Sequence, residues 1–235
     1  MTAAEILNEL KLLGQEGYKR ILLNHGAREP VFGVKIEELK KIQKRVKKDY
    51  QLALDLYDTG VYDAMYLAGL IADDARMTKK DLQHWVSTAK SPTIAEYTVA
   101  WVAAESGHGW DLALKWIDAK DEDTAAAGWA TLGFVVALED DAELDLAELK
   151  RLLKRVQQTI HEQPNRVRDV MNTFVISLGS YVQSLTEAVL QAAAKIGTVK
   201  VDMGKTACKV PSAVEYIKKI QARGTIGKKR KTVKC

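Results

Sequence analysis

Four segments of this chain, "YDAMYLAGLIA", "AEYTVAWVAA", "AAAGWATLGFVVA" and "VMNTFVISLGSYV", are apolar almost all the way round and rich in small residues. Each is followed by a segment with one apolar stripe and one charged face: "KKDLQHWVSTA", "WDLALKWIDA", "LDLAELKRLLKRVQQTI" and "LTEAVLQAAAKI". A helix without a polar face must be covered on all sides, whereas a helix with a single stripe turns its other face to water. The two kinds alternate at a period of about 30–40 residues, which leaves few architectures open. Inner helices stacked in a row, each backed by an outer helix, satisfy the pattern directly.

The spacing predicts helices over residues 2–13, 16–24, 34–48, 50–57, 61–72, 79–89, 92–104, 110–119, 124–138, 144–161, 166–182, 185–196 and 213–221. Over 34–48 the stripe is Val34, Ile36, Leu39, Ile42 and Val46. Ser91-Pro92 puts a cap residue before proline at a first helical position, and Thr78 with Asp81 is close to a capping box. Gly60, Gly107 and Gly197 fall where helices should stop. Strand-like alternation is weak and confined to "GTVKVDMG". The expected class is all-α, an α-solenoid (superhelix) of HEAT-like antiparallel helix pairs with a concave face, and a plain helix bundle is the alternative. One domain covers 1–222, and 223–235 is expected to be a basic C-terminal tail.

Several functions are excluded or disfavoured. No apolar run reaches the roughly 18–20 residues of a membrane span, and the N-terminal segment has no basic leader region. A cytoplasmic, monomeric protein is expected. Two cysteines, Cys208 and Cys235, make no disulfide framework, and the four histidines are scattered, so neither a metal site nor a cofactor is expected. "VDMGKTACKV" contains Gly-Lys-Thr but lacks the upstream glycine and the flanking strand of a phosphate loop.

Charge is distributed unevenly. Residues 195–235 hold twelve Lys/Arg against Asp202 and Glu215, a net of +10. Since the whole chain carries +4, residues 1–194 carry −6. That asymmetry points to a polyanion, nucleic acid first, although a solvated tail would look the same. Arg166 and Arg168 open a predicted inner helix, where guanidiniums and free backbone N–H groups can hold a phosphate. With Lys228, Lys229 and Arg230 they are the candidate backbone-contacting residues.

Glu96 is the single carboxylate in the first half of helix 92–104. On an α-helical wheel it shares a face with Pro92, Val99, Ala100 and Ala103. An acid above small residues has room for a ligand or for a close helix neighbour. If it were desolvated there its pKa would rise unless a cation lay near, and Arg166 is the candidate cation. Trp85, Trp110 and Trp116 on outer helices are expected to face the core, whereas Trp129 could reach the concave face.

"EPVFGVKIEELKKIQKRVKKDY" and "DLALKWIDAKDEDTAAAGWATL" resemble segments of the AlkD-type DNA alkylation repair family, and the likeness spans about residues 5–195 in helix order. The resemblance implies a HEAT-like solenoid that cradles duplex DNA, alkylated or distorted. Active members excise cationic N-alkylated purines such as 3-methyladenine and 7-methylguanine without drawing the base into a pocket. A carboxylate stabilises the positive charge developing on the sugar, and aromatic faces add cation–π attraction. In "SPTIAEYTV" the family's tryptophan and aspartate are absent, and Glu96 or Tyr97 stands at or beside the acid's place. The family arginine falls among the small residues around Trp129, and a further aromatic would match Thr173 or Phe174. The resulting candidates are Glu96 as catalytic carboxylate, and Tyr97, Trp129 and Asn172 as ligand-contacting residues. Three readings stay open: a glycosylase, a non-catalytic relative that recognises distorted or branched DNA, and a protein-interaction scaffold.

Overall fold

Every residue of the segment Tyr62–Ile71 is buried, as a helix without a polar face requires. In the computed structural model, which describes residues 1–234, this segment is α5 and is the first of four inner helices. Cys235 lies outside the described residues. Before α5 come α1 (Ala3–Leu13), α2 (Glu16–Asn24), α3 (Ile36–Val46) and α4 (Tyr50–Asp58). After it come α6 (Lys79–Thr88), a π-helical segment Ile94–Val99 that runs directly into α7 (Ala100–Glu105), and α8 (Gly109–Trp116). The remainder are α9 (Glu122–Leu138), α10 (Leu146–Thr159), α11 (Asn165–Tyr181), α12 (Thr186–Ile196) and α13 (Ala213–Ala222). No strand occurs among the described residues, and "GTVKVDMG" takes no regular secondary structure.

The inner row runs α5, π segment with α7, α9, α11, each packed on the next, and α4, α8 and α12 lie against its members. The result is an all-α solenoid of helix pairs. Its helix starts obey local chemistry: Thr2 and Thr78 close full capping boxes, while Asp49, Asp121, Asp145 and Ser212 cap α4, α9, α10 and α13. The cap expected from Ser91 is not made. Its hydroxyl is buried and has no hydrogen-bond partner.

Close approach of the inner helices to one another and to their outer partners depends on small residues. A Cβ on Gly69 of α5 would lie 2.6 Å from the Thr98 methyl of the π segment, and one on Gly128 of α9 would lie 2.7 Å from the Ile117 backbone nitrogen. The turn "EPVFGV" is held to α5 by Asp63, a buried carboxylate that accepts the Phe32 and Val34 backbone N–H groups at 2.6 and 2.7 Å. Trp85 and Trp116 are buried in the core, Trp85 stacking on Tyr57 with ring centroids 4.1 Å apart, and Trp110 is partly buried.

The basic C-terminal segment is not a solvated tail. After α13 it crosses the C-terminal ends of the inner helices in reverse order. Gly227 N–H donates to the Ser180 carbonyl of α11 at 2.9 Å, and Arg230 N–H to the Ala137 carbonyl of α9 at 2.8 Å. Glu105, the last residue of α7, accepts Val233 N–H and the Thr232 hydroxyl. Lys234 reaches Asp74 at 2.6 Å and the Ala72 carbonyl just beyond α5 at 3.4 Å. Helix ends leave carbonyls unpaired and carry partial negative charge, so a chain rich in N–H and ammonium donors binds there. Val233 of this strap is buried to 3% exposure.

Candidate functional site

Glu96 lies in the first turns of the π segment, where an i→i+5 winding replaces the α-helical wheel. Its carboxylate is 3% exposed, and both oxygens are occupied. Arg166, 70 residues later on α11, donates from Nε to Oε1 at 2.8 Å and from a terminal nitrogen to Oε2 at 2.5 Å. The same guanidinium reaches Asp169 at 3.2 Å, and its side chain is 26% exposed. The cation raised on the wheel as a partner for Glu96 is therefore its bidentate partner. A fork-to-fork pair of this kind fixes both planes.

Two effects compete at Glu96. Burial penalises its charged form, the Arg166 hydrogen bonds and charge favour it, and Asp169 and Asp123 oppose it. Burial wins, and the carboxyl is pushed up to about 7. For Arg166 burial is the largest single effect and works against the charge, but the hydrogen bond and charge of Glu96, with the charge of Asp169, together outweigh it and raise the pKa. Asp169 and Asp123 are also raised, chiefly by burial, with Arg166 and Arg28 respectively pulling them back. Arg28 sits 3.4 Å from Asp123. Glu96 does not stand alone in a positive field; it belongs to a cluster with more carboxylates than cations.

The start of α11 does not offer an open phosphate site. Arg166 N–H donates to the Glu122 carboxylate at 2.7 Å, so a carboxylate from α9 already fills the helix N-terminus. Arg168 donates a long hydrogen bond to the side-chain Oδ1 of Asn165 in its own turn, at 3.3 Å, and its Nε is buried without a partner.

Beside Glu96, a cleft of about 50 Å³ is lined by Tyr97, Trp129, Asp169, Thr173 and Phe174 among others. Tyr97 is exposed at its mouth, with its ring edge to Trp101 at 5.8 Å. Trp129 forms the floor rather than a presented face. It is 1% exposed, with Phe174 at 5.3 Å and the Arg155 guanidinium at 5.5 Å from its ring centre, because α9 is enclosed by α11 on that side. Asn172 is also turned inward, and its amide donates to the Pro211 carbonyl at 3.0 Å, pinning the chain before α13. Both side chains are buried, Trp129 in the lining of the cleft and Asn172 against the chain before α13. Phe174 is buried, whereas Thr173 is exposed.

Of the three basic C-terminal candidates, Lys229 is an internal anchor. Its ammonium holds the Val136 carbonyl at 2.9 Å and Asp141 at 2.8 Å. Lys228 and Arg230 are exposed. Among the described residues no group of three or more His, Cys, Asp or Glu side chains gathers to hold a metal, and no helix is long and apolar enough to cross a membrane.

Sequence reasoning missed three elements. Asp169 shares a face with Arg166 at i,i+3, a spacing visible in "RVRD". Asp123 approaches only through tertiary packing. The third is the loop between α12 and α13, which closes over Arg166. Asn165 exchanges hydrogen bonds with the Asp202 backbone at 2.9 and 2.7 Å, and Asp202, Met203, Gly204 and Thr206 wall a hollow of about 210 Å³ with Arg166 and Pro92. This loop displays Lys200, Lys205 and Lys209 to solvent.

Comparison with known proteins agrees with this architecture. Residues 6–217 match the family described as DNA alkylation repair enzyme. Uncharacterized proteins of Listeria innocua (Lin0241) and Listeria monocytogenes (Lmo0209) are 31% and 30% identical over 228 residues, covering 95% of this chain and 99% of each relative. A solved structure, described as a new family of proteins related to the HEAT-like repeat DNA glycosylases with affinity for branched DNA structures, superposes with a TM-score of 0.91. It is 36% identical, and the match covers 100% of both chains.

Proposed function

The chain belongs to the DNA alkylation repair enzyme family, and from that premise we propose that it recognises branched DNA through phosphate-backbone contacts and excises no base. The observation that carries this reading is the state of Glu96. A carboxylate that stabilises charge on a deoxyribose must present an oxygen to the sugar. Both Glu96 oxygens are held by Arg166 inside the protein, and burial pushes its pKa up to about 7, so that its charge is only partly present at neutral pH. Freeing the carboxylate means breaking a buried ion pair, an unfavourable step of about 3–5 kcal/mol. The solved relative with affinity for branched DNA, alike over its full length, supports the same reading.

The phosphate contacts at this end of the inner helices come from the exposed Lys200, Lys205 and Lys209 of the loop over Arg166. A duplex has no base-specific partner here, so recognition rests on where phosphates converge, as they do at a branch.

Two measurements test the proposal. Fluorescence anisotropy should give tighter binding to a four-way junction than to a linear duplex of the same sequence, weakening steeply with salt as counterions are released. Incubation with methylated DNA should release no 3-methyladenine or 7-methylguanine. Equal affinity for the two DNAs, or release of either base, overturns it.

A second reading has its own observation. Asp169 lines the cleft beside the exposed Tyr97, with a side chain more exposed than that of Glu96. If base release is found, Asp169 is the carboxylate placed to act, and Asp169→Asn should abolish the release while Glu96→Gln does not.

A further inference from the structure

The strap and α3 enclose a groove that the site above does not use. It lies at the C-terminal ends of the inner helices, has a volume of about 630 Å³, and is lined by Lys44, Lys47, Lys48, Lys231 and Lys234, with Asp74 and Glu105 at its base. The two acids are already engaged. Asp74 is held by Lys48 at 3.2 Å and Lys234 at 2.6 Å, and Glu105 is bonded by the strap backbone and the Thr232 hydroxyl. Lys44, Lys47 and Lys231 are exposed and make no ion pair among the described residues. Lys228 and Arg230 extend the positive edge along the strap.

Lys47 adds an independent observation. It is the one non-glycine residue with positive φ among the described residues, at φ 64° and ψ −129°, where the backbone suits glycine. A lysine occupies this position against the conformational preference of an L-residue, and its side chain stands on the groove wall. A glycine would end α3 with less strain but would remove the charge.

We propose that this lysine groove binds the phosphate backbone of a second duplex arm, so that the protein grips a branched DNA at both ends of its inner helices. This rests on the reading that the protein binds branched DNA and names the surface that distinguishes a branch from a duplex. The inner helix α9 has 17 residues, so the Arg166 end and the strap end are about 25 Å apart. Two arms leaving one junction can reach both ends, while a short linear duplex seated at one end leaves the other empty. The strap makes the second surface possible. It brings Lys231 opposite Lys44 and Lys47, residues far apart along the chain.

The test is a triple variant, Lys44→Ala/Lys47→Gly/Lys231→Ala, which spares the lysines that anchor the strap. Its affinity for a four-way junction should fall by about tenfold or more at moderate salt, and the slope of log K against log salt should shrink by about two to three. Affinity for a linear duplex of one arm's length should stay within twofold. The single variant Lys47→Gly should bind the junction more weakly while keeping its melting temperature or raising it, which a structural role for the lysine would not give. Unchanged junction affinity in the triple variant overturns the second surface and leaves the junction reading standing. Equal losses on junction and linear duplex also overturn it, by making the lysines part of a single duplex track. A parent protein that does not prefer the junction removes both readings at once.

Discussion

Replacing Glu96 by Gln tests the balance of forces at the centre of the site. Gln keeps the size of the side chain and cannot ionise. In the parent, the folded-state pKa of Glu96 is raised from 4.5 to about 7 by burial, against the pull of Arg166. The folded protein therefore binds more protons at this residue than the unfolded chain between pH 4.5 and 7, so stability falls as pH rises through that window. The full shift corresponds to about 3 kcal/mol, at 1.36 kcal/mol per unit. For a chain of this size that is about 6–12 °C in melting temperature. The variant is blind to this titration, whereas Asp169 and Asp123, which face Glu96 from α11 and α9, titrate in both proteins and cancel to first order. Melting temperatures of both proteins, measured by circular dichroism at half-unit steps from pH 4.5 to 8, should show the variant gaining on the parent by several degrees. A difference that stays constant, or that grows in the parent's favour as pH rises, refutes the reasoning, because it means Arg166 outweighs burial and keeps Glu96 ionised.

Arg166→Ala leaves a buried carboxylate without its cation and should destabilise by about 3–5 kcal/mol at pH 8. The loss should be smaller at pH 5, where Glu96 can take up a proton, and urea unfolding at the two pH values reads the difference. Truncation after Gly224 removes the strap, exposes the site that buries Val233, and uncovers the ends of the inner helices. It should lower stability by at least about 2 kcal/mol in the same assay, the worth of one buried valine alone, whereas a solvated tail could be lost without effect. Gly69→Ala should destabilise by about 1–3 kcal/mol through the 2.6 Å clash with the Thr98 methyl. Adding Thr98→Ser, which deletes that methyl, should restore most of the loss.

How much of this was legible beforehand follows from which interactions are local. Capping boxes at Thr2 and Thr78 involve residues three apart, so they can be read from the chain. The alternation of all-round apolar and striped helices forces inner and outer rows, because burial is set by which faces lack polar groups. The π segment over Ile94–Val99 was not legible, since it changes the winding without changing the hydrophobic pattern. The α-helical wheel drawn around Glu96 therefore does not apply over its own turns. The burial of Trp129 and Asn172 was not legible for a different reason. Small and polar neighbours on the wheel do not reveal that α11 and the chain before α13 close over them.

By itself, then, the sequence determined an all-α chain of stacked helix pairs, its register of caps, and a basic C-terminal region, all consequences of local propensity and hydrophobic periodicity. Only the tertiary structure decided what the charges do. Glu96 meets Arg166 across 70 residues, Glu122 fills the helix end where a phosphate was expected, and Lys229 and Lys234 turn inward to the ends of α9 and α5. A charge acts over a few ångströms in space and is indifferent to separation along the chain. Its partner is therefore fixed by packing, and with it whether a carboxylate or a lysine is free to meet DNA.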